Sequence, residues 1–117
     1  MSISLRSEET QKKYDEWKLD PANQGHCVLC GFEPVVKFTY WKIVPNTFPY
    51  DRFAAQHDTL LPLRHVVGEE LRPEEKDELE EIKRTYVGDR YNMIIESTHR
   101  TMTIPSHFHL HLIVLKS

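Results

Sequence analysis

SHFHLHLIVL, Ser106–Leu115, is the stretch on which the fold of this chain turns. Three of the chain's seven histidines fall here at alternate positions, 107, 109 and 111. Side chains on an extended strand alternate between faces with a period of two. A strand over "HFHLHLIVLK" therefore puts His107, His109 and His111 on one face, and Phe108, Leu110 and Leu112 on the other, toward a core. The residues alone leave three readings open. The histidine face could meet solvent, it could hold a divalent ion as alternating histidines do in barrel metalloproteins, or one imidazole could attack a substrate while the others orient it.

Working back from that strand, "RYNMIIES" reads as a second strand, with "HRTMTIPS" as the loop between the two. Before it, "LRPEEKDELEEIKRTYVG" is the clearest helix. Pro73 opens it, acidic residues fill its first turn, Leu79, Ile82 and Tyr86 share one face, and Gly88 is placed to close it in a left-handed cap. "HDTLLPLRHV" reads as a short strand ended by Pro62, and "VVKFTYWKIV", 35–44, as one strand rich in β-branched and aromatic residues. "PNTFPYDRFAAQH" joins these two as a long connection. Residues 7 to about 18 form an N-terminal helix with Ser7 as cap and Tyr14 and Trp17 on a thin apolar edge, and "LDPANQGH" is a loop. Strands, one firm helix and further strands predict an α+β fold: an antiparallel sheet of about five strands with one main helix and an N-terminal helix. Residues 1–22 read as an N-terminal helical segment and 23–117 as the domain.

Composition narrows the function. A chain of 117 residues, 39% hydrophobic and 28% charged, fits one soluble domain with one modest core. Its N-terminus has no apolar signal core and no apolar run is long enough to span a membrane, so a cytoplasmic location without membrane association is expected. With a net charge of −3 and no basic run longer than two residues, an extended nucleic acid is not the expected partner. The two cysteines, Cys27 and Cys30 in "HCVLCGF", have a spacing that suits either a redox pair or half of a metal site.

The pattern His-φ-His-φ-His-φ-φ, here "HFHLHLI", resembles the signature of the histidine triad (HIT) family. "HDTLLPLRH", 57–65, resembles that family's segment in which a histidine, a strand, a proline and a second histidine follow one another, and the separation from "RYNMIIE" to the triad also matches. The C-x-x-C resembles that of the family's metal-binding subgroup. The resemblance runs from Cys27 to Leu115.

The resemblance implies a HIT-like fold and a nucleotide hydrolase or nucleotidyl transferase that acts at the α-phosphate of a nucleoside phosphate derivative. His109, the middle histidine, would attack phosphorus and form a covalent nucleotidyl-histidine. His111 would orient the site, His57 would be the fourth active-site histidine, and His107 would complete the triad. The family's zinc subgroup implies a structural zinc on Cys27, Cys30, His65 and His107, a plausible tetrahedral set. It also implies a homodimer. His26 and His99 are left as loop histidines.

The chain departs from the family pattern in places that bear on the nucleotide. The loop before the triad, "STHRTMTIPS", has no glycine, so Thr103 and Ser106 are the candidate phosphate donors there, with Arg100 as added charge. Glu96 stands where many members have an asparagine that contacts the nucleotide. Asn46 and Asp51 are the candidates for the ribose contact. Leu63 replaces a common lysine, and Arg64 beside it reads as a solvated residue. The rival reading from another class is a zinc-stabilised nucleotide-binding module with little or no turnover.

Overall fold

The computed structural model describes residues 5–98, 104 and 106–117. Among these residues, five strands form one antiparallel sheet in the order β1-β2-β3-β5-β4, where β1 is Val36–Lys37, β2 Trp41–Pro45, β3 Ala54–Pro62, β4 Met93–Ile95 and β5 Leu110–Leu115. The chain is α+β, as its pattern of elements predicts. β3 is central, pairing with β2 on one side and β5 on the other. The register puts His57 opposite Ile113, Thr59 opposite His111 and Val44 opposite Thr59. Those side chains share one face. Ile43, Leu60 and Leu110, and Leu112 across from Asp58, share the other.

Helix α3, Pro73–Ile82, covers the apolar face. Proline fits its first position, where no amide is needed, and the Glu75 carboxylate turns back to accept from the Arg72 amide at 2.8 Å. Its apolar stripe, Leu79 and Ile82 with Val87 beyond, closes on Trp41, Ile43, Leu60, Leu110 and Leu112. The indole N–H of Trp41 donates to the Glu75 carbonyl at 2.9 Å, so the largest side chain of this core is also hydrogen-bonded.

The histidine face is covered by N-terminal elements. Helix α1, Glu8–Leu19, begins at the Ser7 cap, whose hydroxyl accepts from the Thr10 amide. Tyr14 stacks on Phe48, with 5.1 Å between ring centroids. The short helix α2, Val28–Gly31, sets Leu29 against Val44 and Leu61. Buried Lys42 reaches the carbonyls of Cys30 and Phe32 at 3.3 and 3.0 Å, satisfying acceptors at the end of α2.

Four local expectations are corrected. Residues 35–44 are not one strand. They form a hairpin in which the Phe38 amide donates to the Trp41 carbonyl, and the Tyr40 amide in the turn finds its acceptor on Glu78 of α3. No turn residue marks this reversal, because a tertiary hydrogen bond supports it. β3 starts at Ala54 rather than at His57, through an irregular register between Ala54 and Gln56. Gly88 does not adopt a left-handed cap. Its φ is −58°, and the helix continues through a wider π turn at Lys83–Val87 and a last turn at Gly88–Arg90, ending where Tyr91 becomes extended. β5 pairs only from Leu110; residues 107–109 run beside the chain after Pro62 instead, with the Phe108 amide donating to the Val66 carbonyl at 2.7 Å. The alternation persists through them, since Phe108 meets the Trp41 ring on the apolar side.

Candidate functional site

The three alternating histidines are all buried, and they divide between two neighbouring sites. His107 belongs to the first. Its Nε2 lies 3.0 Å from the Pro62 carbonyl oxygen, which can only accept. A neutral ring therefore carries its proton on Nε2 and keeps a lone pair on Nδ1. That Nδ1 lies 3.5 Å from the Cys27 Sγ and 3.4 Å from the Cys30 Sγ. The Cys30 Sγ is in turn 3.3 Å from the Nδ1 of His65. One ligand atom from each of Cys27, Cys30, His65 and His107 lies within 4.8 Å of the others, a cluster that could hold a metal ion. The second-sphere carbonyl on His107 is the arrangement that fixes a ligating imidazole. Burial, reinforced by hydrogen bonding to Cys27, raises the pKa of the Cys30 thiol. His26 stays outside the cluster, exposed and directed at the Gln24 carbonyl.

His109 and His111 line the second site, a cleft between the sheet, α1 and α2. Its walls are aromatic and aliphatic, with Tyr14, Trp17 and Phe48 on one side and Val28, Leu29 and Phe32 on another. Arg6, Asn46 and Thr59 supply polar groups. The Nδ1 of His109 is 2.8 Å from the His107 carbonyl oxygen. This contact requires a proton on Nδ1, so the neutral ring keeps its lone pair on Nε2. Burial lowers the His109 pKa, which favours the neutral form. An imidazole with a fixed tautomer, a lone pair unclaimed among the described residues and a place in a cleft is equipped for nucleophilic attack.

Behind His111 lies His57, with its Nε2 2.8 Å from the His111 Nδ1. His57 does not line the cleft. Both rings are held at pKa values of about 3, first by burial and then by charge, chiefly Arg6 for His57 and His57 for His111. Both are neutral near pH 7. Tyr50 touches the pair twice: its amide is 3.0 Å from the His57 Nδ1, and its hydroxyl is 3.3 Å from the His111 Nε2.

The other expected residues are placed as follows. Asn46 lines the cleft, and its side-chain oxygen accepts from the Phe48 amide at 2.9 Å. Asp51 does not reach the cleft. It holds the start of α1 instead, accepting from the Ser7 amide at 2.7 Å and the Ser7 hydroxyl at 2.9 Å, and these bonds lower its pKa to about 2 despite the opposing effect of burial. Glu96 is exposed, just past β4, and lines no part of the cleft. Ser106 is exposed on an adjoining hollow with Lys18 and His26. Thr103, Arg100 and His99 lie outside the described residues. Arg64 is not simply solvated; it grips the buried Glu75 carboxylate with two hydrogen bonds of 2.7 and 3.1 Å.

Sequence reasoning missed Arg6, Tyr50, Thr59 and Phe48. Thr59 was within reach, because it shares the period-two face of His57 in "HDTLL". The others come from irregular chain with no periodicity to place them. Arg6 sits over the Tyr14 and Tyr50 rings, 4.5 and 5.0 Å from their centroids, and so brings positive charge to the cleft. No helix among the described residues is long and apolar enough to cross a membrane. No protein-family model matches the chain, and neither the curated proteins nor the solved structures contain a match.

Proposed function

We propose that the chain is a nucleotide hydrolase or nucleotidyl transferase of the histidine triad type, with His109 as nucleophile. The observation that carries this reading is the tautomer of His109. Its Nδ1 proton is committed to the His107 carbonyl, and no group among the described residues hydrogen-bonds its Nε2, in a ring that lines the cleft.

In this reading the aromatic and aliphatic walls take the base, and Arg6, Asn46 and Thr59 meet sugar or phosphate oxygens. The His109 Nε2 attacks the α-phosphorus, forming a P–N bond as the bond to the leaving group breaks. As charge accumulates on the attacking ring, the His107 carbonyl takes a stronger hydrogen bond from Nδ1–H. Water or another acceptor then displaces histidine from phosphorus. Positioning and charge stabilisation supply most of the rate in such a transfer.

Cys27, Cys30, His65 and His107 suit zinc by their donor chemistry, two thiols and two imidazoles with their ligand atoms within 4.8 Å of one another. A zinc there would act structurally, tying α2 to the end of β3 and to the residues before β5.

The test is turnover by the purified protein and by His109→Ala on adenosine and guanosine phosphoramidates, aminoacyl adenylates, dinucleoside polyphosphates and nucleotide sugars. Release of mononucleotide by the wild type alone, with a nucleotide mass adduct on quenched protein, supports the reading. Binding of nucleotide without release from any substrate would replace it with the zinc-stabilised binding module.

A further inference from the structure

We propose that Tyr50 is a positioning residue that fixes the proton of His111 on Nε2, so that the third histidine meets a substrate as a hydrogen-bond donor and not as a base. This deepens the proposed nucleotidyl-histidine reading and rests on it for its catalytic meaning.

The argument follows protons around a closed loop of three residues. A backbone amide only donates, so the 3.0 Å contact from the Tyr50 N–H makes the His57 Nδ1 an acceptor. A neutral imidazole has one N–H, so the His57 proton sits on Nε2. That nitrogen is 2.8 Å from the His111 Nδ1, which must therefore accept. The His111 proton is thereby driven to Nε2, and Nε2 lies 3.3 Å from the Tyr50 hydroxyl oxygen, which accepts it. Tyr50 thus begins the chain with its amide and ends it with its phenol.

One contact competes with this assignment. The Asn46 Nδ2 is 3.4 Å from the His57 Nε2 and would need a lone pair there. The Asn46 oxygen is fixed by the Phe48 amide, so its nitrogen must face inward, and it has a second acceptor in the Thr59 hydroxyl at 3.4 Å. The amide of Tyr50 has already used the His57 lone pair, so the shorter contact to His111 decides.

The loop is also buried. His57 is 4% exposed, His111 5% and Tyr50 8%, so water does not readily exchange for any partner. A buried ring with both nitrogens assigned cannot turn over or change tautomer without breaking a hydrogen bond. The bond at the phenol is the longest in the loop. A phosphoryl oxygen entering the cleft that His111 lines would compete with the phenol for the Nε2 proton, and a negatively charged acceptor wins that competition.

Tyr50→Phe tests this, since it removes the phenolic oxygen and keeps both the ring and the backbone amide. The protein is labelled with ¹⁵N and its histidine tautomers are read at pH 7 from long-range ¹H–¹⁵N couplings, without substrate. The wild type should show Nε2–H on both His57 and His111. In Tyr50→Phe, His57 should keep its signature, while the His111 Nε2–H should shift and exchange faster with solvent. On adenosine 5′-phosphoramidate, kcat should fall on the order of tenfold with KM changed less than about twofold. An Nδ1–H tautomer at His111 in the wild type overturns the proposal. So does a Tyr50→Phe protein with an unaltered His111 signature, or one with an altered signature and full kcat. A wild type that turns over no substrate overturns the nucleotidyl-histidine reading, and the proton assignment is then decided by the wild-type spectrum alone.

Discussion

On the α3 side of the sheet, Trp41, Ile43, Leu60, Leu110 and Leu112 close against Leu79, Ile82 and Val87. On the other side, the same strands and the residues leading into β5 bury Lys42, His57, Thr59, His109 and His111 beneath α1 and α2. Successive residues of one strand face both environments, so backbone geometry is not what distinguishes them. The apolar side is held by packing, which tolerates little change in volume and carries no protonation state. The histidine side is held by donor–acceptor pairs, each of which assigns a proton. The first should respond to substitution as stability, and the second as chemistry.

The sharpest test of that contrast sets His109→Ala beside Trp41→Ala. His109→Ala should lower mononucleotide release on the order of a thousandfold or more while the urea midpoint stays near that of the wild type. Trp41→Ala should cost about 3–5 kcal/mol through the cavity it leaves, read as a lower urea midpoint. A large loss of stability in His109→Ala would erase the distinction.

The histidine side should also respond to pH where the apolar side does not. His57 and His111 fall from 6.5 in the unfolded chain to about 3 in the folded one. Between those values the unfolded chain binds protons that the native protein refuses, so stability is full above pH 6.5 and is lost as pH falls toward 3. Asp51, falling from 3.8 to about 2, acts only at the acid end of this range. Urea midpoints taken from pH 7 down to about 4.5 isolate the histidines, and His111→Asn should flatten that slope. A wild type with no slope there would mean that the rings are solvated.

Smaller effects sharpen the comparison at its borders. Cys27→Ser should lower zinc stoichiometry in purified protein by mass spectrometry under native conditions, because it removes a ligand from the cluster; unchanged stoichiometry would place the metal elsewhere. Gly68→Ala should cost roughly 1 kcal/mol by thermal melt, because its new Cβ would come within 3.1 Å of the Phe108 ring. Phe108 lies on the apolar side, so mononucleotide release should be unaffected.

Much of this division was written in the alternation of "HFHLHL" and "HDTLL". Period two assigned His109 and His111 to one face and Leu110 and Leu112 to the other, while the resemblance to the histidine triad family, and not spacing alone, added His57 and joined Cys27, Cys30, His65 and His107 as one set. The separation of His107 from the cleft was not legible, since three histidines in alternation look equivalent until the Pro62 carbonyl and the two sulfurs claim one of them. Asp51 read as a ligand contact because a carboxylate's partners, here Ser7 and Thr10 far back in the chain, leave no mark on its neighbours. Tyr50 escaped for the same reason. Its place depends on how an irregular segment returns beneath the sheet, and not on a repeat. The Gly88 cap failed because glycine permits a left-handed turn without requiring one.

His107 has one further consequence. Its ring faces the sulfurs, and its carbonyl oxygen holds the ring of His109. The cluster and the cleft are thus mechanical neighbours in series, with a single residue as the linkage. Anything that shifts the ring of His107 also tilts the peptide that aims His109. A chelator could therefore silence the cleft without any metal having touched the substrate. In this molecule, sensitivity to chelation would report the stiffness of a support and not the identity of a catalyst.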